Sequence, residues 1–183
     1  MKGKKTIAAA APAAPVLESD SYALSSLSVA ELFALELKAM YWTENQLLLS
    51  IPVLERAAAS AELKDALANH LEVTKEHVGR LEVIFEMMGE RICAVKCNAM
   101  EGLDIDAENV IAQTLANSQE RDLGIILSAR KTEQHEAAGY KGLIALATLL
   151  GRDDVTALLQ QSLMEEEQAD QLLAALAPTT PMA

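Results

Sequence analysis

Acidic side chains stand in the middle of apolar helical stripes, and this pattern restricts the fold more than any other feature of the chain. One stripe reads Leu37, Tyr41, Glu44, Leu48, Ile51. A second reads Ile126, Arg130, Glu133, Ala137, Tyr140, Ile144, Ala147, with Glu136 one turn from Glu133. A third reads Val155, Leu159, Ser162, Glu166, Ala169, Leu173, Leu176, with Asp170 one turn beyond Glu166. Steps of three and four place each set on one helix face, turned toward a neighbour. A fourth stripe, Leu63, Leu67, His70, Thr74, His77, Leu81, Ile84, Met88, carries imidazoles where the others carry carboxylates, and Glu72 lies off its centre. A fold that turns these faces inward must compensate the acids it buries, because desolvating an unpaired ion is costly.

The punctuation of the chain gives the helices their limits. Ser28-Val29-Ala30-Glu31 is a capping-box pattern ahead of an apolar run, so a first helix is predicted to about Ala58, kinked at Pro52. A second is predicted from Ala61 to Met88, with Gly89 as its stop. Residues 90–99 form a connector that holds both cysteines, and a short helix over Met100 to Ala116 follows. Two more long helices, Gln119 to Leu150 and Asp153 to Ala177, are closed by Gly151 and Pro178. Tight links within each pair and a long link between the pairs predict an all-α fold. It is a ferritin-like four-helix bundle of two antiparallel hairpins with a crossover connection carrying a short extra helix. The bundle occupies residues 28–177; the Ala/Pro-containing segment 1–27 reads as a disordered tail and 178–183 as a second, short one.

Composition excludes other classes. Aromatic residues are only 3% of the chain, which suits packed helices better than sheets. Lys and Arg number 15 against 27 Asp and Glu, a net charge of −12, so no nucleic acid partner is expected. No apolar run is long enough for a membrane span, and the Ala/Pro start is a poor signal sequence, so no membrane association and a cytoplasmic location are expected. Two cysteines make no disulfide scaffold.

Counting from the hairpin turns shows that the polar groups share a level. Glu44 lies about fifteen residues before the first turn and His77 about seventeen after it, while Glu136 and Glu166 lie about fifteen on either side of the second. Glu133 and Asp170 are each about eighteen from it. Divalent metals, basic partners such as Arg130 or Lys75, or shared protons could each compensate such a cluster. The bundle motif Glu-x-x-His is absent; Glu133-Gln134-His135-Glu136 is Glu-x-x-Glu instead. A carboxylate-rich, histidine-poor set favours hard ions such as manganese, with iron also allowed.

Several ordered blocks carry a family resemblance: Leu37 to Leu48 (LKAMYWTENQLL), His70 to Glu86 (HLEVTKEHVGRLEVIFE), Lys96 to Leu103 (KCNAMEGL), Arg121 to Leu143 and Leu158 to Leu173. They resemble the YciF-type bacterial stress proteins, a ferritin-like family, over about residues 29–176. The resemblance implies a homodimer with the short helix at its interface, and kinship with rubrerythrin and bacterioferritin, whose bundles hold two metals. By matching position it carries over Glu44, Glu133, Glu136, Glu166 and Asp170 as the acidic set, and Glu72, His70 and His77 from the second helix. The chain departs from the pattern at Val73, where a second Glu is usual, at Gln134 and His135 in place of His-Tyr, and at Ala39 and Trp42 around Tyr41. The missing carboxylate of the second helix counts against a full dinuclear site and would leave one metal, a weak site, or none.

The expected metal ligands are therefore Glu44, Glu72, His77, Glu133, Glu136, Glu166 and Asp170, holding iron or manganese as one or two ions. The expected function is a carboxylate-bridged metal protein of the stress response that handles iron, peroxide or dioxygen, with di-metal oxidoreductase chemistry. The alternative is a metal-free dimeric structural or interaction protein with a vestigial site. Of the remaining residues, Cys97 reads as a packed connector residue, His70 as a core or interface imidazole and His135 as surface. Within Glu165-Glu166-Glu167 only Glu166 is expected to be buried.

Overall fold

The computed structural model describes residues 26–177. The two expected tails lie outside this range, apart from Ser26 and Leu27, which are exposed and non-helical. The described residues are all-α: α1 (Val29–Ala57), α2 (Ala61–Met88), α3 (Asn98–Gln113), α4 (Gln119–Leu149) and α5 (Asp153–Leu176), with no strand among them. The capping box opens α1: Ser28 Oγ accepts from the Glu31 N–H at 3.2 Å, and Glu31 Oε2 accepts from the Ser28 N–H at 2.8 Å. Two orphan amides are thereby satisfied. The helix continues across Pro52 as one element. Gly89, at φ 67°, ends α2 in the left-handed region that a side chain would strain. The short helix starts two residues earlier and ends three residues earlier than the sequence pattern suggested.

Each long helix packs against two others in a closed ring, α1–α2–α5–α4, and α3 lies across α4 and α1. Cross-helix contacts run in opposite directions along each pair. Lys38 of α1 meets Glu90 just past the end of α2, and Tyr41 meets Glu82 between α1 and α2; His77 meets Glu165 and Arg80 meets Ser162 between α2 and α5. Side-chain caps fix the turns. The Asp122 carboxylate on α4 accepts from the N–H groups of Ala59 and Ser60 at 2.6 and 2.8 Å, tying α4 to the α1–α2 turn.

The apolar core is divided. One cluster, around Leu47, Leu54, Leu63, Met100 and Ile125, fills the end covered by α3. The other, around Phe33, Leu37, Phe85, Leu143 and Leu159, fills the end at the α4–α5 turn. Burying these side chains is the main favourable contribution to folding. Between the two clusters lies a layer of buried Glu44, Thr74, His77, Glu133, Glu136, Ser162 and Glu166.

Candidate metal centre

The four long helices each deliver side chains to this layer: Glu44 from α1, His70 and His77 from α2, Glu133 and Glu136 from α4, and Glu166 from α5. Helical spacing explains the deliveries. His70 and His77 are two turns apart on one face, and Glu133 and Glu136 one turn apart. Two groups of candidate ligand atoms result, each lying within 4.8 Å of one another: His70, Glu133, Glu136 and Glu166, and Glu44, His77 and Glu166. Glu166 belongs to both.

Within the layer, His77 Nδ1 lies 2.8 Å from Glu166 Oε1 and 3.3 Å from Glu44 Oε1. Neither oxygen is in line for a hydrogen bond, and Nδ1 is left without a partner. His70 Nε2 lies 3.3 Å from Glu133 Oε1 and 3.8 Å from Glu166 Oε2, again without a formed hydrogen bond. The Tyr140 hydroxyl donates to Glu44 Oε1, and its ring meets His77 edge-on at 5.9 Å. On the outer side, His77 Nε2 lies 2.8 Å from Glu165 Oε2, which also accepts from Arg80 Nη1 at 2.9 Å.

These surroundings set the protonation. Burial pushes Glu133 and Glu136 well above the usual carboxylate range, and the charge of Glu166 adds to it. Burial and the Glu166 charge also raise Glu44, against the pull of His77. Burial opposes the charged form of Glu166, yet His77 and His70 hold it below its ordinary value. Burial alone would depress His77, but the adjoining Glu166 and Glu44 carboxylates outweigh it and lift the imidazole to about 10. Without metal the layer pairs His77 with Glu166, while burial favours the neutral forms of Glu44, Glu133 and Glu136.

The donor set fits a divalent metal. Eight of the eleven buried side-chain N and O atoms that lack a partner among the described residues belong to these six side chains. They include both oxygens of Glu136 and of Glu166, Glu44 Oε2, Glu133 Oε2, His70 Nε2 and His77 Nδ1. Buried acceptors are rarely left so, and carboxylate with imidazole is the donor chemistry of iron and manganese.

Of the residues expected as ligands, five meet in the layer: Glu44, His77, Glu133, Glu136 and Glu166. Two lie elsewhere. Glu72 is on the exposed face of α2, paired with Lys75 at 2.7 Å. Asp170 accepts from Arg130 Nε at 2.6 Å at the rim between α4 and α5. His70, expected as a core imidazole, joins the candidate ligands. Glu165, expected in solvent, is partly buried against His77 and Arg80. Its position three residues after Ser162, facing an Arg80 three residues after His77, was the available signal. His135, expected at the surface, is half-buried, with Nε2 3.5 Å from the Cys97 sulfur.

An all-α chain with a carboxylate–imidazole layer across its core defines a class of helical protein built around a buried polar site. The chain belongs to the family described as Domain of unknown function (DUF892), which matches residues 28–182. It is 35% identical over 151 residues to Protein YciF of Escherichia coli strain K12, covering 82% of this chain and 90% of that protein. The crystal structure of that E. coli stress protein superposes with a TM-score of 0.78 at 35% identity, over 82% of this chain and 94% of that one. YcfI of Rhodopseudomonas palustris superposes with a TM-score of 0.81 at 29% identity, over 86% of this chain and 99% of that one. No helix among the described residues is long and apolar enough to cross a membrane.

Proposed function

We propose that this chain is a ferritin-like four-helix bundle that holds iron or manganese in its polar layer and serves a bacterial stress response. The observation that carries the reading is Glu166, whose carboxylate belongs to two adjoining ligand groups. A carboxylate shared in this way suits two metals, with His70, Glu133 and Glu136 on one side and Glu44 and His77 on the other. When bound, the metals supply one-electron redox chemistry toward dioxygen or peroxide. The chain's own side chains do the rest. Tyr140 holds Glu44 in place through its hydroxyl, and Arg80 and Glu165 hold the His77 ring from the outer side. The two apolar clusters close the layer above and below against bulk water. Glu44, Glu133, Glu136 and His77, all raised in the metal-free layer, would have to give up any protons they hold in order to serve as ligands.

The reading includes a homodimer with α3 at its interface. The groove between α1 and α3 supports it, with exposed Leu49 and Val53 on its edge and Ile105 exposed nearby. A metal-free structural protein is the second reading. It is favoured by the His77–Glu166 ion pair and the Arg80–Glu165 contact, which already compensate part of the buried charge.

Elemental analysis of untagged protein, purified without chelator, decides between them. About two equivalents of iron or manganese are expected in the native protein, and their loss in Glu166→Gln, which keeps the side-chain volume. Metal-free native protein, unchanged by added ferrous or manganous ion, would leave the second reading standing.

A further inference from the structure

Two openings reach the polar layer, on opposite sides of α5, and their chemistry differs. Between α4 and α5 a cleft of about 480 Å³ leads to Glu133 and Glu166 past Lys141, Glu167 and Asp170, all charged side chains. Between α2 and α5 a groove of about 180 Å³ leads to His70 and Glu133. Its walls are Leu67, Val73, Ala169 and Leu172, and its polar rim is Asn69, Glu165 and Gln168. The groove is as large as apolar cavities of ~150 Å³ that take up xenon or benzene. It ends on atoms in need of a partner: Glu133 Oε2 and His70 Nε2 are buried and unpartnered, on side chains only 4% and 11% exposed.

We propose that the α2–α5 groove is the access route and holding site for a small neutral molecule, of the size of dioxygen or hydrogen peroxide, that reacts at the layer. Three features commit it to that class. A cation would lose its hydration between Leu67, Val73, Ala169 and Leu172, whose side chains offer it no ligand, whereas a neutral diatomic such as dioxygen loses little. An anion would meet the Glu165 carboxylate at the rim. A larger organic molecule would have to displace the His70 or Glu133 side chain to touch Glu166, which is fully buried behind them. Val73 is central. A carboxylate at this position would put a charge in the wall, while the valine keeps the wall apolar and the passage open. The α4–α5 cleft is left to charged species. The proposal rests on the metal reading for its chemistry but not for its geometry, and the tests separate the two.

The first arm uses the full-length, metal-free protein under xenon pressure, observed by methyl NMR. Saturable xenon-induced shifts are expected at Val73, Leu172 and Ala169, and their loss in Val73→Phe, which fills the groove. Absence of these shifts in the native protein overturns the groove as a holding site, whatever the metal content. The second arm loads native protein, Val73→Phe and Leu172→Ala with ferrous ion and follows its oxidation by dioxygen or by hydrogen peroxide. Equal metal content is expected throughout, with slower oxidation in Val73→Phe and faster in the widened Leu172→Ala. Leu172 is half-exposed, so that variant keeps the fold if Val73→Phe does not. Slowing with one oxidant alone identifies the molecule admitted. Equal rates in all three proteins, with metal bound, overturn the route. Failure of the native protein to bind metal defeats the functional reading and leaves the xenon arm to judge the groove.

Discussion

The ends of the molecule and its middle are built on opposite rules. At the ends, Phe33, Leu37, Ile84, Phe85 and Leu159 are essentially inaccessible and pack into an apolar cluster, while Met100 of α3 joins the cluster at the far end. In the middle, four carboxylates and His77 are buried with His70 largely covered beside them, and eight atoms of these six side chains have no partner. The ends make the helices associate. The middle opposes association and persists because the ends outweigh it, as expected where polar groups are kept for a task other than stability. Removing a side chain from an end should therefore do the opposite of removing one from the layer. Phe85→Ala is expected to cost roughly 3–5 kcal/mol of stability, and Glu136→Leu to stabilise the metal-free protein by roughly 1–4 kcal/mol. Urea denaturation of both variants measures the contrast. A Glu136→Leu variant destabilised as much as Phe85→Ala would erase it.

Metal should sharpen the same contrast, because it acts on the layer alone. A ligand bound only by the native state stabilises it by about 2.7 kcal/mol at a hundredfold excess over its dissociation constant. The melting temperature of native protein should rise with added ferrous or manganous ion, and that of Glu136→Leu should rise less or not at all. Equal rises would place the stabilising metal outside the layer.

Protons offer a gentler probe. Burial raises Glu133 and Glu136, so the native state keeps protons that the unfolded chain gives up near 4.5. Their effect is to lower stability as pH rises above that value. His77, raised from 6.5 to about 10, contributes stability that is complete below 6.5 and is lost as pH climbs to about 10. Both slopes have the same sign. Glu165 and Glu166, held low, contribute stability above 4.5 that is lost on acidification through their folded values. The metal-free protein is thus expected to be most stable at about pH 5 rather than near neutrality. Melting curves from pH 4 to 10 test this, and His77→Gln should flatten the segment between 6.5 and 10. A metal-loaded sample should lose the alkaline slope, since metal has taken the place of the protons.

The contrast between ends and middle was partly readable in the chain itself. Periodicity of three and four located four long helices, and Ser28 with Glu31, Gly89 and Gly151 marked limits that hold in the structure. Counting from the turns placed Glu44 level with His77, and Glu136 level with Glu166, because straight helices keep a constant rise. Rotation about the helix axis was less legible than level. Glu72 follows His70 by two residues, about 200° around the helix, and so faces solvent. Glu165 precedes Glu166 by one residue, about 100° around, and turns from the layer toward Arg80. His70 looked like an ordinary stripe residue, because only the approach of α4 and α5 puts Glu133 and Glu166 beside it. No spacing within one helix encodes the distance between two.

Asp170 gives the smallest expected effect and the finest test of where the layer stops. It lies one turn beyond Glu166, as the acidic set would require, yet its carboxylate reaches outward to Arg130, and both side chains remain partly exposed. A pair in that position gains little over solvent and is screened by salt. Asp170→Asn should leave the melting temperature within replicate scatter, and a double-mutant cycle with Arg130→Gln should show a coupling that vanishes at ~1 M salt, where the Debye length is about 3 Å. Metal content should be unchanged, since Glu133, Glu136, Glu166 and His70 form their group without it. Loss of metal in Asp170→Asn, with retention in Arg130→Gln, would instead mean that Asp170 exchanges its arginine for the metal on loading. The boundary between the satisfied rim and the unsatisfied layer would then move by one helical turn, and the arginine would be the device that holds the ligand outside until the ion arrives.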